Sequence, residues 1–180
     1  MCEPINVMRA MTRRLLTLAI AAALAACSSD PLKGLTPGTG AEVSDAALFG
    51  LIPSGPSWSF YKRSSTPITR SSRPHPESNA LVRYNARAAT QLDAQGKVRR
   101  DAVFPDSSII VKELSNGSSL STYAVMMRLR GSSSAGVDGW VWAEFSPSGA
   151  VQYSTRQRGG ACSSCHSAGI DYTRMNDSHP

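Results

Sequence analysis

The chain has 180 residues, 41% of them hydrophobic and 18% charged, with 19 basic and 13 acidic side chains for a net charge of +6. That length suits one domain with a modest core. The positive balance is mild and contains no basic run interleaved with aromatics, which argues against a nucleic-acid binder.

The first 26 residues read as a signal peptide. Arg9, Arg13 and Arg14 make a basic n-region, and Leu15 to Ala26 is apolar apart from Thr17. Such a run is too short to span a bilayer comfortably. Without those three arginines and Glu3, sixteen basic and twelve acidic residues remain, a net of +4. The run ends in Leu24-Ala25-Ala26-Cys27. This resembles the bacterial lipobox, in which the Cys becomes the lipidated first residue of the mature chain. Ser28 follows, not Asp, which implies sorting to the outer membrane with the domain facing the periplasm. Met8 or Met11 would serve as the start of this leader as well as Met1. The expected organisation is therefore 1–26 signal peptide, 27–50 lipidated N-terminus and tether, and 51–180 folded domain.

Ser28 to Gly40 is rich in Ser, Pro, Gly and Thr, the composition of a flexible tether. Ser44 is placed to cap a short helix over residues 45–49, with Gly50 closing it. Trp58, Phe60 and Tyr61 form a local aromatic cluster, and 62–78 reads as a loop. Residues 80–84 suit a short strand. Residues 86–95 are Ala-rich, lack Gly and Pro, and stop at Gly96, which predicts a helix of about three turns. From Ser108 the apolar period becomes two. Ile109 to Leu114, Tyr123 to Arg130, Trp140 to Phe145 and Val151 to Thr155 read as strands, with turns at Asn116-Gly117 and Pro147-Ser148-Gly149. The fold class expected is α+β, mostly an antiparallel sheet of four to five strands with a few short helices.

Near the end stands Cys162-Ser163-Ser164-Cys165-His166, a C-x-x-C-H motif. This is the attachment pattern of a c-type haem: two thiols form thioethers to one porphyrin and the adjacent His supplies an axial nitrogen. The alternatives are a Cys162–Cys165 disulfide, a redox pair lacking its usual β-α-β context, and a zinc site short of a fourth ligand. Haem attachment alone accounts for His166. One covalent haem c per chain is expected, with His166 on the iron.

The order of several motifs resembles the cytochrome P-460 / cytochrome c′-beta family. These are the Trp-containing segment, His75-Pro76-Glu77-Ser78-Asn79, Leu81-Val82-Arg83, Phe104-Pro105-Asp106, Ile110 to Leu114, Gly139 to Trp142, and the final C-x-x-C-H. The resemblance covers roughly residues 55–175. It implies an exported, dimeric β-sheet haem c protein with a five-coordinate iron that takes small nitrogen species such as NO. It also implies two alternatives: binding without turnover, or oxidation of hydroxylamine or NO. Electron transfer to a partner cytochrome is a third function class, and it requires a sixth ligand.

Lys112 shares a strand face with Ile110 and Leu114, so it is either a protective Lys on an edge strand or a functional group. The resemblance implies the second, a bond from Lys112 to the porphyrin. Glu144 shares a face with Trp140 and Trp142; that face either meets the haem, where the carboxyl serves as proton acceptor, or points outward. Arg83 is either a surface residue or, by the resemblance, a neighbour of the haem. His75 reads as a loop residue, Met127 as core, and Met126 as lying with Arg128 and Arg130. Asp171-Tyr172 resembles the family's closing Asp-aromatic pair, which would anchor the haem edge or orient His166 through its ring N–H.

Overall fold

The computed structural model describes residues 38–52, 57–70 and 74–174, all within one unit spanning 31–180. The leader, Cys27, Met175 and His179 lie outside the described residues.

Seven strands form one antiparallel sheet among the described residues: β1 (Ser59–Phe60), β2 (Ile68–Thr69), β3 (Asn79–Tyr84), β4 (Ile109–Asn116), β5 (Ser119–Arg128), β6 (Trp140–Phe145) and β7 (Val151–Tyr153). The spatial order is β1-β3-β4-β5-β6-β7, and β2 pairs with the other end of β3. The expected meander is present. It gains β1 and β2, the latter from a stretch expected to be loop. Among the described residues three short α-helices, α1 (Asp45–Phe49), α2 (Ala86–Ala89) and α3 (Ser163–His166), and two 3-10 turns, Tyr61–Arg63 and Thr155–Gln157, complete the fold.

Both faces of the sheet are covered. One face buries Val111, Val125, Met127, Val141, Ala143 and Phe145 against Val43 and Leu48. The other buries Val82, Tyr84, Ile110, Met126, Trp140 and Trp142 against Phe104 and Ala88. Alternation along β4, β5 and β6 therefore separates two cores, where a one-sided sheet would separate core from water. The second core continues to Cys162, Ile170 and Tyr172, so this face carries the C-terminal motif.

Helix α1 forms where its caps predict. Ser44 Oγ accepts from Ala47 N at 3.2 Å, and Gly50 N donates to Ala46 O at 3.0 Å. Val43 and Leu48 are fully buried. Val43 N donates to Ser134 Oγ at 2.9 Å, and Ser132 Oγ donates to Ala41 O at 2.6 Å. The folded domain thus takes in residues 38–50, which the sequence assigned to the tether.

The helix expected over 86–95 ends after one turn. Asn85 Oδ1 caps it, accepting from Ala88 N at 2.8 Å, and also accepts from Ile109 N at 3.0 Å. Beyond Thr90 a local side chain wins over the helix: Asp93 Oδ1 accepts from Gln95 N (2.8 Å) and Lys97 N (2.9 Å). Gly96 adopts a φ of +75°, and Leu92 bridges back to Val98. Asp side chains compete with helical hydrogen bonds in this way.

Candidate cofactor and ligand site

Cross-strand register sets the floor of the site. Val82, Lys112, Ala124, Glu144 and Tyr153 stand in one row across β3, β4, β5, β6 and β7. They share the face that holds Met126 and Trp142, because partners opposite each other project to the same side. Lys112 and Glu144 are two strands apart, about 10 Å by strand spacing. Between them is only the methyl of Ala124, and above this row a cavity of about 340 Å³ opens to solvent.

Lys112, Met126, Trp142, Glu144 and Tyr153 line the cavity from the sheet. Cys162, Cys165 and His166 line it from the C-terminal segment, and Arg70, His75 and Arg174 from the loops. The open choice for β6 is thereby settled: Trp140, Trp142 and Glu144 are on the face of the C-x-x-C-H motif. Lys112 is not an edge residue, since β4 lies between β3 and β5. Met126 lines the cavity, while Met127 belongs to the opposite core.

Arg83 does not reach the cavity. It stands opposite Val111, on the far face of the sheet, where it is buried and ion-paired with Glu113. Period two along β3 decides this, because Val82 and Tyr84 take the cavity side. Arg83 is thus buried on the face away from the cavity, neither lining it nor lying at the surface.

His166 is held from below. The rings of Trp142 and His166 meet edge to face with centroids 4.7 Å apart. His166 Nδ1 lies 2.8 Å from the carbonyl of Tyr172. A carbonyl accepts, so Nδ1 carries the proton and Nε2 presents its lone pair to the cavity. Burial first, then the charge of Lys112, push the imidazole pKa down to about 4, which keeps the ring neutral at pH 7.

The carbonyl of Tyr172 is positioned by Asp171. Asp171 Oδ2 accepts from Phe104 N at 2.7 Å, and Oδ1 pairs with Arg128 Nη2 at 3.2 Å. Trp140 Nε1 donates to Asp171 O at 3.1 Å. Asp171 and Tyr172 both have positive φ, +45° and +64°. Two such residues in succession persist only where neighbours over-determine them. It is the backbone carbonyl of Tyr172, not a carboxylate, that faces the His166 ring.

The chain reaches the motif by passing over Trp142. A Cβ on Gly159 would lie 2.2 Å from Trp142 Cδ1, and its φ is +69°. Gly159→Ala should therefore lower stability by about 2–4 kcal/mol through overpacking and left-handed backbone strain. Urea midpoints check this; an unchanged midpoint would mean that Trp142 moves aside at no cost.

Electrostatics in the cavity are perturbed by burial. Lys112 is pushed down to about 8 by burial and by Arg70 and Arg174, against the attraction of Glu144. Burial and Glu77 raise Glu144, which Lys112 opposes. Cys162 rises to about 11, mainly by burial and then by Glu144.

The donor set fits a haem better than a bare ion. Among the described residues no group of three or more His, Cys, Asp or Glu is arranged around a metal position. A porphyrin brings its own ring of nitrogens and asks the protein for an axial one. Cys162 and Cys165 are unbridged thiols on the cavity wall beside His166. The cavity is at the lower end of the range for cofactor sites, about 300–1,000 Å³; its open side leaves room for a cofactor edge.

Arg70, Arg174 and Tyr153 are cavity residues that sequence patterns did not single out. Tyr153 had a signal, its register opposite Glu144, which is hidden by a bulge between Glu144 and Phe145. The two arginines come from irregular segments, where no period marks direction. The sequence matches no family model and no curated protein.

Proposed function

We propose that this chain is a c-type cytochrome whose haem, attached through Cys162 and Cys165 with His166 as axial ligand, binds a small nitrogen species such as NO. One observation carries this: His166, with Nδ1 tied to Tyr172 O, leaves Nε2 toward a cavity whose wall also holds two unbridged thiols. When bound, a haem would supply an iron centre able to take a small ligand. In the same cavity the chain places ionisable groups, Lys112 and Glu144, that suit a small polar occupant. In this proposal the protein is an outer-membrane lipoprotein anchored through Cys27, its domain facing the periplasm as a homodimer.

A second reading is oxidation of hydroxylamine or NO, with Lys112 bonded to the porphyrin and Glu144 accepting a proton. Lys112 favours it. The amine is mid-sheet on the cavity face, and its pKa of about 8 makes the neutral, nucleophilic form accessible near neutral pH.

Expressed with haem-c maturation proteins, the full chain should gain the mass of one haem that survives acid extraction. Cys162→Ala/Cys165→Ala should lose it entirely. Absence of covalent haem on the unaltered chain would overturn the proposal. The ferrous absorption spectrum then separates the readings. An ordinary high-spin haem c spectrum supports ligand binding, and a strongly red-shifted Soret band supports the Lys112 bond. A sharp low-spin spectrum would mean that His75 or Met126 fills the sixth position, and would turn the assignment to electron transfer.

A further inference from the structure

His75 stands between Pro74 and Pro76 in a segment laid over the cavity face. Its backbone is fastened on both sides. Arg70 Nη1 donates to the carbonyls of His75 (3.2 Å) and Glu77 (2.9 Å). Glu77 Oε1 accepts from Ser121 Oγ at 2.7 Å and from Thr122 Oγ1 at 3.3 Å. The ring so placed brings Nε2 to 3.6 Å from Glu144 Oε1, with 22% of the His75 side chain and 25% of the Glu144 side chain exposed. That gap is longer than a hydrogen bond, and one rotamer adjustment or a single water closes it.

We propose, on the haem reading above, that His75 is the proton-exchange partner of Glu144, carrying protons between the cavity carboxyl and solvent. A weakly acidic ligand HX entering the cavity gives its proton to the Glu144 carboxylate and remains as the anion X⁻. The neutral Glu144 acid passes the proton to the lone pair of His75 Nε2. The imidazolium releases a proton from its other nitrogen, Nδ1, to water; the Glu144 carboxylate is restored, and proton exchange of the ring with water returns His75 to its starting tautomer. No oxidant or other co-reactant is consumed.

The surroundings favour this exchange. Burial and the charge of Glu77 raise the proton affinity of Glu144, while Lys112 lowers it. Burial, Lys112 and Arg70 lower that of His75, and Glu77 raises it. Tyr153 and Cys162 also feel the Glu144 charge. The two affinities therefore approach each other, which is the condition for ready transfer in both directions.

Cyanide is a suitable probe, because at neutral pH it arrives as HCN and must lose its proton to bind ferric haem. In the haem-loaded full chain, His75→Gln should slow the cyanide on-rate by at least about tenfold at pH 7, and Glu144→Gln by no less. The double variant should be no slower than Glu144→Gln alone, since both act in one chain of transfer. An on-rate unaffected by His75→Gln overturns the proposal. So does a change of spin state in that variant, which would make His75 an iron ligand. A second measurement does not depend on haem. In the full chain without haem, Glu144→Gln should lower the midpoint of the His75 ring titration, followed by NMR, by about half a pH unit; no shift would also overturn the pairing. If no haem attaches while that titration responds, the functional assignment falls and the His75–Glu144 pair stands.

Discussion

Asp171→Ala should cost the domain about 3–5 kcal/mol, the expected loss when one partner of a buried ion pair is removed. The carboxylate is nearly enclosed, with 12% of its side chain exposed, and Arg128 opposite it is 8% exposed. Removal strands more than the guanidinium. Phe104 N loses its acceptor, and the segment that offers Tyr172 O to His166 loses its tie to β5. Arg128 keeps the Asp138 carbonyl and the face of Trp140, 5.1 Å away, so its loss is partial. A fall in melting temperature on the order of 10 °C should follow. Asp171→Asn, which keeps an acceptor for Phe104 N but removes the charge, should fall in between. A loss below about 1 kcal/mol for Asp171→Ala would show that the pair contributes little.

Lys112→Met should work in the opposite direction and stabilise the unmodified chain by about 1–3 kcal/mol at pH 7. Burial lowers the folded-state pKa of Lys112 to about 8 from the ordinary 10.5. Below pH 8 folded and unfolded chains both hold the proton, and the folded state bears the full cost of the partly buried cation. Between about 8 and 10.5 the folded chain has released the proton and the unfolded chain still binds it, so stability rises with pH across that window. The advantage of Lys112→Met should therefore shrink from pH 8 to pH 10.5. Urea melts of both chains at pH 7 and pH 10 measure the difference; a constant gap would mean that the ammonium reaches solvent.

The sheet was largely legible because its strands are long enough to alternate. Ile109 to Leu114 and Trp140 to Phe145 form strands at or near the expected bounds, the strand expected over Tyr123 to Arg130 runs instead over Ser119–Arg128, and Asn116-Gly117 turns the hairpin. Helix 86–95 was misjudged because composition does not show that the Asp93 side chain will capture Gln95 N and Lys97 N. The orientation of β6 could not be read from the sequence because both faces are buried: Trp140 and Val141 are equally enclosed. Buried charge misled at Arg83, whose pairing with Glu113 needs the register of β3 on β4. In the site, Cys162, Cys165 and His166 were marked by the motif, while Lys112 and Glu144 were candidates whose surroundings the sequence left open. Arg70, Arg174 and the contact of His75 with Glu144 were not, because loops approach a sheet in directions that no periodicity encodes.

The order of the strands has a kinetic consequence. From β3 to β7 each strand pairs with the next in sequence, so the sheet can zip outward from the β4–β5 hairpin with small loops to close. The contacts that fasten the two ends span far more chain: Thr155 to Asp45 across 110 residues, Val43 to Ser134 across 91, Phe104 to Asp171 across 67. Closing those loops carries the larger entropic cost, so the ends should dock after the sheet exists. Cys162, Cys165 and His166 should then stay on an undocked chain end, accessible to solvent, until Asp171 clips the segment against Phe104.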